Sequence, residues 1–437
     1  MKKNGMQKFA MRIATWVAII AAQPALAVDI GSYYSSWSVQ SGFRLKQLDQ
    51  AGLADQFTYL NYAFENIYPM PDGTYRCSSG SDIDNHAEGL GMKASLDYVR
   101  QFSADESVDG SADQAGQALA GNFNQLRQLK AKHPQLKVLL ALGGWEWSRW
   151  FSAAAATPAL RRTLVASCID LYIKGNLPVL QGHGGAQAAA NLFDGFDLDW
   201  EHPGVQGMPY NTVSARDKSN FTLLLGEFRK QFNALSKQDG RRYYLSAALN
   251  STEKNVQHTE PRQYARYLDW INLMTYDFHG AWDKTGPTDF QSNLYSDPAD
   301  PDPAAPSIDR GIQRLIRAGV PSQKIIMGIP FYARGWRGVA SDNNGLYQPA
   351  QGPTPGVEEG AQAYADIAAQ TLTRHYHPVT KQLWTYDQGI FWTFDDPVVI
   401  REKIAYARKN HLGGMMSWTV DQDDAGFNLS KTMMELK

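Results

Sequence analysis

Eight short runs rich in β-branched and aromatic residues recur along the chain: Ile30–Tyr34, Thr58–Phe64, Lys137–Leu142, Phe193–Asp199, Tyr243–Leu249, Trp270–Thr275, Ile325–Ile329 and Gly414–Trp418. Between them the apolar positions change to a spacing of three to four, over Phe123–Lys132, Leu160–Ile173, Ser219–Leu235, Pro261–Leu268, Ile308–Ala318 and Pro397–Lys409. Short runs alternating with longer helical windows predict parallel strands joined by helical crossovers. Eight such units is the number that closes a barrel, so the fold class is α/β, a (β/α)8 TIM barrel. An open doubly wound sheet is the other architecture that alternation allows. Its usual glycine-rich phosphate turn does not follow the first run.

One interval breaks the rhythm. Residues 335–391, between the seventh and eighth runs, exceed what a single helix needs, and they hold short strand patterns at Leu383–Tyr386 and Ile390–Thr393. This segment is expected to form a small α+β insertion domain, with the barrel made of 28–334 and 392–437. Insertions at that point rise beside the C-terminal mouth, where barrel active sites sit. The Pro- and Asp-rich stretch Asp297–Pro306 has strand patterns of the same type on both sides and is expected to be a long loop.

At the N-terminus, Lys2, Lys3, Lys8 and Arg12 precede an apolar run from Ile13 to Ala22 and the small-residue site Ala25-Leu26-Ala27. That order predicts a secretory signal peptide over 1–27. The alternative is an amphipathic or anchoring N-terminus, but the run is shorter than the ~20 apolar residues of a spanning helix. The mature chain is then expected outside the cytoplasm, extracellular or periplasmic. It would hold 410 residues and carry a net charge of −6, against −2 for the full chain of 437. An acidic balance argues against nucleic acid as a partner; no membrane association and a monomeric state are expected. Two cysteines, Cys77 and Cys168, exclude a disulfide framework and leave one bridge or two free thiols open. No Cys/His cluster has metal-ligand spacing, and His375-Tyr376-His377 reads as a solvated loop. No cofactor and no metal are expected.

Chemistry concentrates in Asp194-Gly195-Phe196-Asp197-Leu198-Asp199-Trp200-Glu201. On a strand, Asp197, Asp199 and Glu201 point to one face, successive members ~7 Å apart along the chain. Phe196, Leu198 and Trp200 face the other way, toward the core, and Asp194 is out of phase and structural. Stacked carboxylates cannot all ionise, so at least one must hold its proton at neutral pH. Such an arrangement supplies a proton donor beside a charged partner. A hard-oxygen metal site is the competing use, and no further acidic or Asn cluster completes its shell.

The octapeptide Asp194–Glu201 resembles the DxxDxDxE signature of glycoside hydrolase family 18, the chitinases. Other segments agree in order: Tyr33-Tyr34, Asn61–Phe64, Ala141-Leu142-Gly143-Gly144-Trp145 (the family's SxGGW with Ala for Ser), Met274-Thr275-Tyr276-Asp277, Pro330–Trp336 (with Ala333 where Gly is usual) and Gly413–Trp418. The resemblance implies a chitinase that cuts β-1,4 linkages of chitin or chito-oligosaccharides with retention, through the substrate's own 2-acetamido group. It implies Glu201 as general acid and base, Asp199 as the group that orients the acetamide, Asp197 as its proton-sharing neighbour and Tyr276 on the acetamido oxygen. Trp418 would floor the pocket and Trp145 stack on the leaving side. Trp37, Tyr33, Phe64, Met274, Asp277, Tyr332 and Arg334 would line subsites; Trp282, Trp336 and Trp384 are further groove candidates. Two other functions share this signature or fold: an endo-β-N-acetylglucosaminidase acting on N-glycan cores, and a chitin-binding lectin. The insertion favours the chitinase over the endoglycosidase, and the intact Glu201, Asp199 and Tyr276 favour it over the lectin.

Overall fold

The structure is a computed structural model describing residues 28–78, 84–85, 88–91, 94–356 and 358–437. The leader expected over 1–27 lies outside the described residues. Eight parallel strands, β1 (Asp29–Ser35), β2 (Tyr59–Glu65), β3 (Lys137–Gly143), β4 (Gly195–Asp199), β5 (Tyr244–Asn250), β6 (Trp270–Met274), β7 (Ile325–Pro330) and β8 (Gly414–Trp418), close into a barrel in chain order. β8 pairs back onto β1, with Ile30 opposite Met415. The closed ring removes the open-sheet alternative. Closure also leaves no sheet edge to template pairing with another chain.

Period-two side chains then sort into two separate cores. The outer faces (Leu140, Leu142, Phe196, Leu198, Ala247, Ile271) pack against the helices. The inner faces give a second cluster of large rings, including Tyr33, Tyr59, Phe64, Trp270, Tyr276 and Tyr332. Trp200, 2% exposed, lies on the outer side and stacks on Phe151 at 5.4 Å, as its phase on β4 requires.

The helical windows form where expected, with shifted ends. The window ending at Ile173 is helical from Pro158 to Cys168 and then widens into a π turn over Ile169–Ile173. Thr157 caps its start, its side chain accepting from the Leu160 N–H. The Asp297–Pro306 stretch is a loop between β6 and the helix Ile308–Arg317.

A six-stranded antiparallel sheet spans Tyr332–Phe394, between β7 and β8. Trp336, Trp384, Phe290 and Phe391 form its own small core. This corrects the expectation for two tryptophans. Trp336 is fully buried and donates its indole N–H to the Asp283 carbonyl at 2.9 Å, and Trp384 donates to the Asn344 carbonyl at 3.0 Å. Both rings fold the insertion and neither is free to face a groove. The His375–His377 triplet lies on the strand Arg374–His377 rather than in a loop, because it pairs with Gln382–Asp387 and His375 packs on Trp384 at 5.1 Å. Cys77 and Cys168 form a disulfide, which ties the excursion after β2 to the helix after β3.

Candidate active site

The base of β4 is fixed first. Asp194 accepts from the Val138 N–H at 2.8 Å and pairs with Lys130 at 2.7 Å and Arg241 at 3.4 Å, outside the barrel. From that anchor Asp197 and Asp199 climb the inner face, 0% and 4% exposed, and Glu201 follows at the C-terminal rim.

Asp197 is the best-solvated of the three by protein groups. Oδ2 accepts from the Tyr33 hydroxyl at 2.5 Å, and Oδ1 accepts from the Ser246 hydroxyl at 2.6 Å and the Asn272 amide at 3.0 Å. Asn272 is itself oriented by the Tyr59 hydroxyl, 2.6 Å from its Oδ1. Burial raises the pKa of Asp197, and these three donors oppose that rise. Asp199 has no such support: its Oδ1 is buried with no hydrogen-bond partner. Burial, then the charges of Glu201 and Asp197, push Asp199 well above the ordinary carboxyl range. Glu201 is pushed up to about 8, mainly by burial and then by Asp277. The geometry therefore favours the charge on Asp197 and protons on the upper two acids.

A short turn after β3 holds the rim in place. Gly144 donates its N–H to the Asp199 carbonyl at 2.7 Å, and the Ser148 hydroxyl accepts from the Glu201 N–H at 2.8 Å. Asn211 donates to the Glu201 carbonyl at 3.0 Å. Gly143 and Gly144 both have positive φ, and a Cβ on Gly143 would lie 2.3 Å from the Asp199 carbonyl oxygen. Only glycine allows this approach. His202 stands 3.8 Å from Glu201, and burial lowers its pKa to about 4, so it is neutral and leaves the proton on Glu201 unopposed.

Aromatic rings surround the acids. Trp418 is half-buried and packs on Tyr33 and Phe64, each at 5.3 Å between centroids. Trp37 and Trp145 are 37% and 48% exposed at the rim. Tyr276 and Tyr332 meet edge to face at 6.2 Å. Arg334 pairs with Asp277 at 2.8 Å and lies over the rings of Tyr332 and Trp282 at 5.1 and 5.3 Å. Trp282 is 52% exposed there, a placement open to a ligand. Met274 is half-buried at the end of β6. Tyr33, 1% exposed, is sealed beneath these rings and gives its hydroxyl to Asp197, so it serves the carboxylate rather than a subsite surface.

Several functional side chains carry no motif. Ser246, Asn272, Tyr59 and Ser148 are polar or aromatic residues in ordinary strand and turn patterns: the strand register brings Ser246 and Asn272 to Asp197, Tyr59 reaches the acids only through Asn272, and Ser148 meets the Glu201 backbone from the turn after β3. Trp147 stands edge-on to Trp37 at 6.2 Å and to Phe64 at 6.1 Å, extending the aromatic wall. Its signal was the density of tryptophan after the Gly-Gly turn. Among the described residues no group of three or more His, Cys, Asp or Glu is placed to hold a metal ion.

The fold and the acids together define a class: a (β/α)8 barrel with a stack of buried carboxylates rising from β4 into an aromatic mouth. The chain belongs to the glycosyl hydrolases family 18, whose model matches residues 29–423. It is 33% identical to Chitinase A1 of Niallia circulans, over 95% of this chain and 61% of that protein. It is 32% identical to Chitinase C of Streptomyces lividans, over 97% and 62%. The chain thus spans about three-fifths of the length of these curated relatives. The catalytic domain of the psychrophilic chitinase B from Arthrobacter TAD20 superposes with a TM-score of 0.87 at 39% identity, covering 93% of this chain and 94% of that domain.

Proposed function

We propose that the chain is a chitinase that hydrolyses β-1,4 bonds between N-acetylglucosamine units with retention, the nucleophile being the substrate's 2-acetamido oxygen. The observation that carries this reading is the uneven environment of the three acids: Asp197 with three donors, Asp199 with a bare oxygen, and Glu201 at the rim, where burial and then Asp277 push its pKa up to about 8. Membership of family 18 and the chitinase names of the relatives support it.

Glu201 protonates the glycosidic oxygen as the bond breaks. The acetamido carbonyl oxygen attacks the anomeric carbon, closing an oxazolinium ion. Asp199 passes its proton to Asp197, then accepts from the acetamido N–H and offsets the ring's positive charge. Tyr276 donates to the acetamido oxygen and fixes its angle of attack. Water then opens the ring, with Glu201 as base. Holding the nucleophile within the substrate is an effective-molarity gain. Trp418, Trp145, Trp37 and Trp282 offer flat faces on which pyranose rings stack, with Phe64 buried behind Trp418 as its support and Met274, Asp277, Tyr332 and Arg334 about the central subsites. The insertion walls one side of the groove, and the N-terminal 27 residues direct export.

Mass-resolved product analysis on chitohexaose and on a high-mannose glycoprotein tests the reading. Short chito-oligosaccharides, with the glycoprotein intact, are expected. Release of glycan with the hexaose spared would establish an endoglycosidase instead, and tight binding without cleavage of either would establish a lectin.

A further inference from the structure

Position 141 departs from the family pattern: an alanine stands where the resemblance has serine. The strand register shows what that alanine faces. Asp197 lies opposite Ala141 on β3 and opposite Ser246 on β5, one on each side. The hydroxyl missing on the β3 side is present on the β5 side, and the Ser246 Oγ is 2.6 Å from Asp197 Oδ1. Ser246 is fully buried, and no other hydrogen-bond acceptor of its side chain is found among the described residues.

We propose that Ser246 is a positioning residue for the reaction: from the opposite neighbouring strand it supplies the hydroxyl that Ala141 cannot, and so sets how readily Asp197 takes the proton of Asp199. The inference rests on the hydrolase reading above. Around Asp197 the titratable groups are Tyr33 from β1, Tyr59 from β2, Tyr276 beyond β6, and Asp199 and Glu201 on its own strand. β3 and β5 contribute Ala141 and Ser246, and β6 contributes Asn272; no cation is among the groups that act on Asp197 in the described residues. The charge on Asp197 is therefore held by three hydrogen bonds alone, from Tyr33, Ser246 and Asn272.

Removing one of three donors makes the carboxylate less favourable and the carboxylic acid more so. The working state needs one proton in the Asp197/Asp199 pair, so the acidic limb of kcat/KM reports loss of the second proton from that pair. Without the Ser246 hydroxyl that proton is held to higher pH.

The test is kcat/KM for chitohexaose against pH, on the whole chain, with thermal melts to verify folding. Ser246→Ala is expected to move the acidic limb upward by about one pH unit, the size of one hydrogen bond to a charged group. Ser246→Thr should restore it, and Ala141→Ser in the Ser246→Ala background should move it back toward the parent. Ala141→Ser alone, which leaves the Tyr33, Ser246 and Asn272 donors unsubstituted, should move the limb downward. An unmoved limb in Ser246→Ala, or a shift that neither Ser246→Thr nor the hydroxyl added by Ala141→Ser reverses, overturns the proposal. A parent chain with no turnover would instead overturn the hydrolase reading, so the two failures are distinct.

Discussion

A carboxyl group at position 201 is useful as an acid only while it keeps its proton, and burial at the rim is what lets it do so near neutral pH. Because its pKa is raised to about 8, kcat/KM should be sustained through neutrality and fall as pH rises through about 8, where Glu201 loses the proton it must donate. A profile whose alkaline fall lies near the ordinary carboxyl range would contradict this. Glu201→Gln keeps the shape and removes the proton: turnover of chitohexaose should fall by about 10²–10⁴-fold, with oligosaccharide binding retained by calorimetry. Asp199→Asn should act mainly on kcat, since the carboxylate is needed most when the ring carries charge; an effect confined to KM would reduce Asp199 to a binding group. These residues were legible because three acids at period two on an otherwise apolar strand have few structural uses. Ser246, Asn272 and Tyr59 were not. A serine or asparagine in a strand gains its role from the register of neighbours far away in sequence, which local pattern does not encode.

At the scale of elements, two links fasten parts that the barrel ladder does not. The Cys77–Cys168 disulfide closes a span of 91 residues. Replacing both cysteines with serine should lower stability to urea by about 2–4 kcal/mol, with kcat unchanged because both cysteines belong to the outer core and not to the inner cluster. The other link is the Lys403–Asp395 pair, both side chains 0% exposed. Lys403 also donates to the Ser292 hydroxyl at 2.7 Å, and Ser292 donates to the Thr275 carbonyl, the residue before Tyr276. Lys403→Met leaves Asp395 buried without a counter-charge, with only the Gln382 amide donating to it at 3.0 Å, at a cost of about 3–5 kcal/mol. Adding Asp395→Leu should recover most of the loss in a thermal melt. A double variant no more stable than the single would show that the loss does not come from a buried Asp395 charge left without Lys403, which lies on the helix Pro397–Lys409. Sequence pattern located the helices and the insertion that these links join, but neither link, nor the Ile67–Pro69 and Tyr75–Cys77 strands at one end of the disulfide. Spacing left the two cysteines open between bridge and free thiols, and a buried lysine near a helix centre reads as an ordinary surface residue until the fold surrounds it.

The whole molecule is a barrel whose interior is filled by rings and hydrogen-bonded acids rather than by aliphatic layers alone. Its class was readable from eight alternations of period because parallel strands buried on both faces leave continuous apolar runs. The detailed faces were harder. Trp336 and Trp384 look, in sequence, like the sugar-stacking tryptophans; only the packing of the insertion shows them closed inside its core. Trp145 and Trp282 carry the same composition signal and stand exposed. Burial, which decides between platform and core, depends on tertiary contacts that no local window contains. On the proposed reading, the substrate supplies its own nucleophile under Glu201 and Asp199. The most direct measurement follows fresh products by proton NMR, with chitohexaose and its fully deacetylated counterpart as paired substrates. The acetylated hexamer is expected to release the β-anomer first, and the deacetylated one is expected to stay uncut. Release of the α-anomer, or cleavage of the deacetylated hexamer at a comparable rate, would contradict that reading.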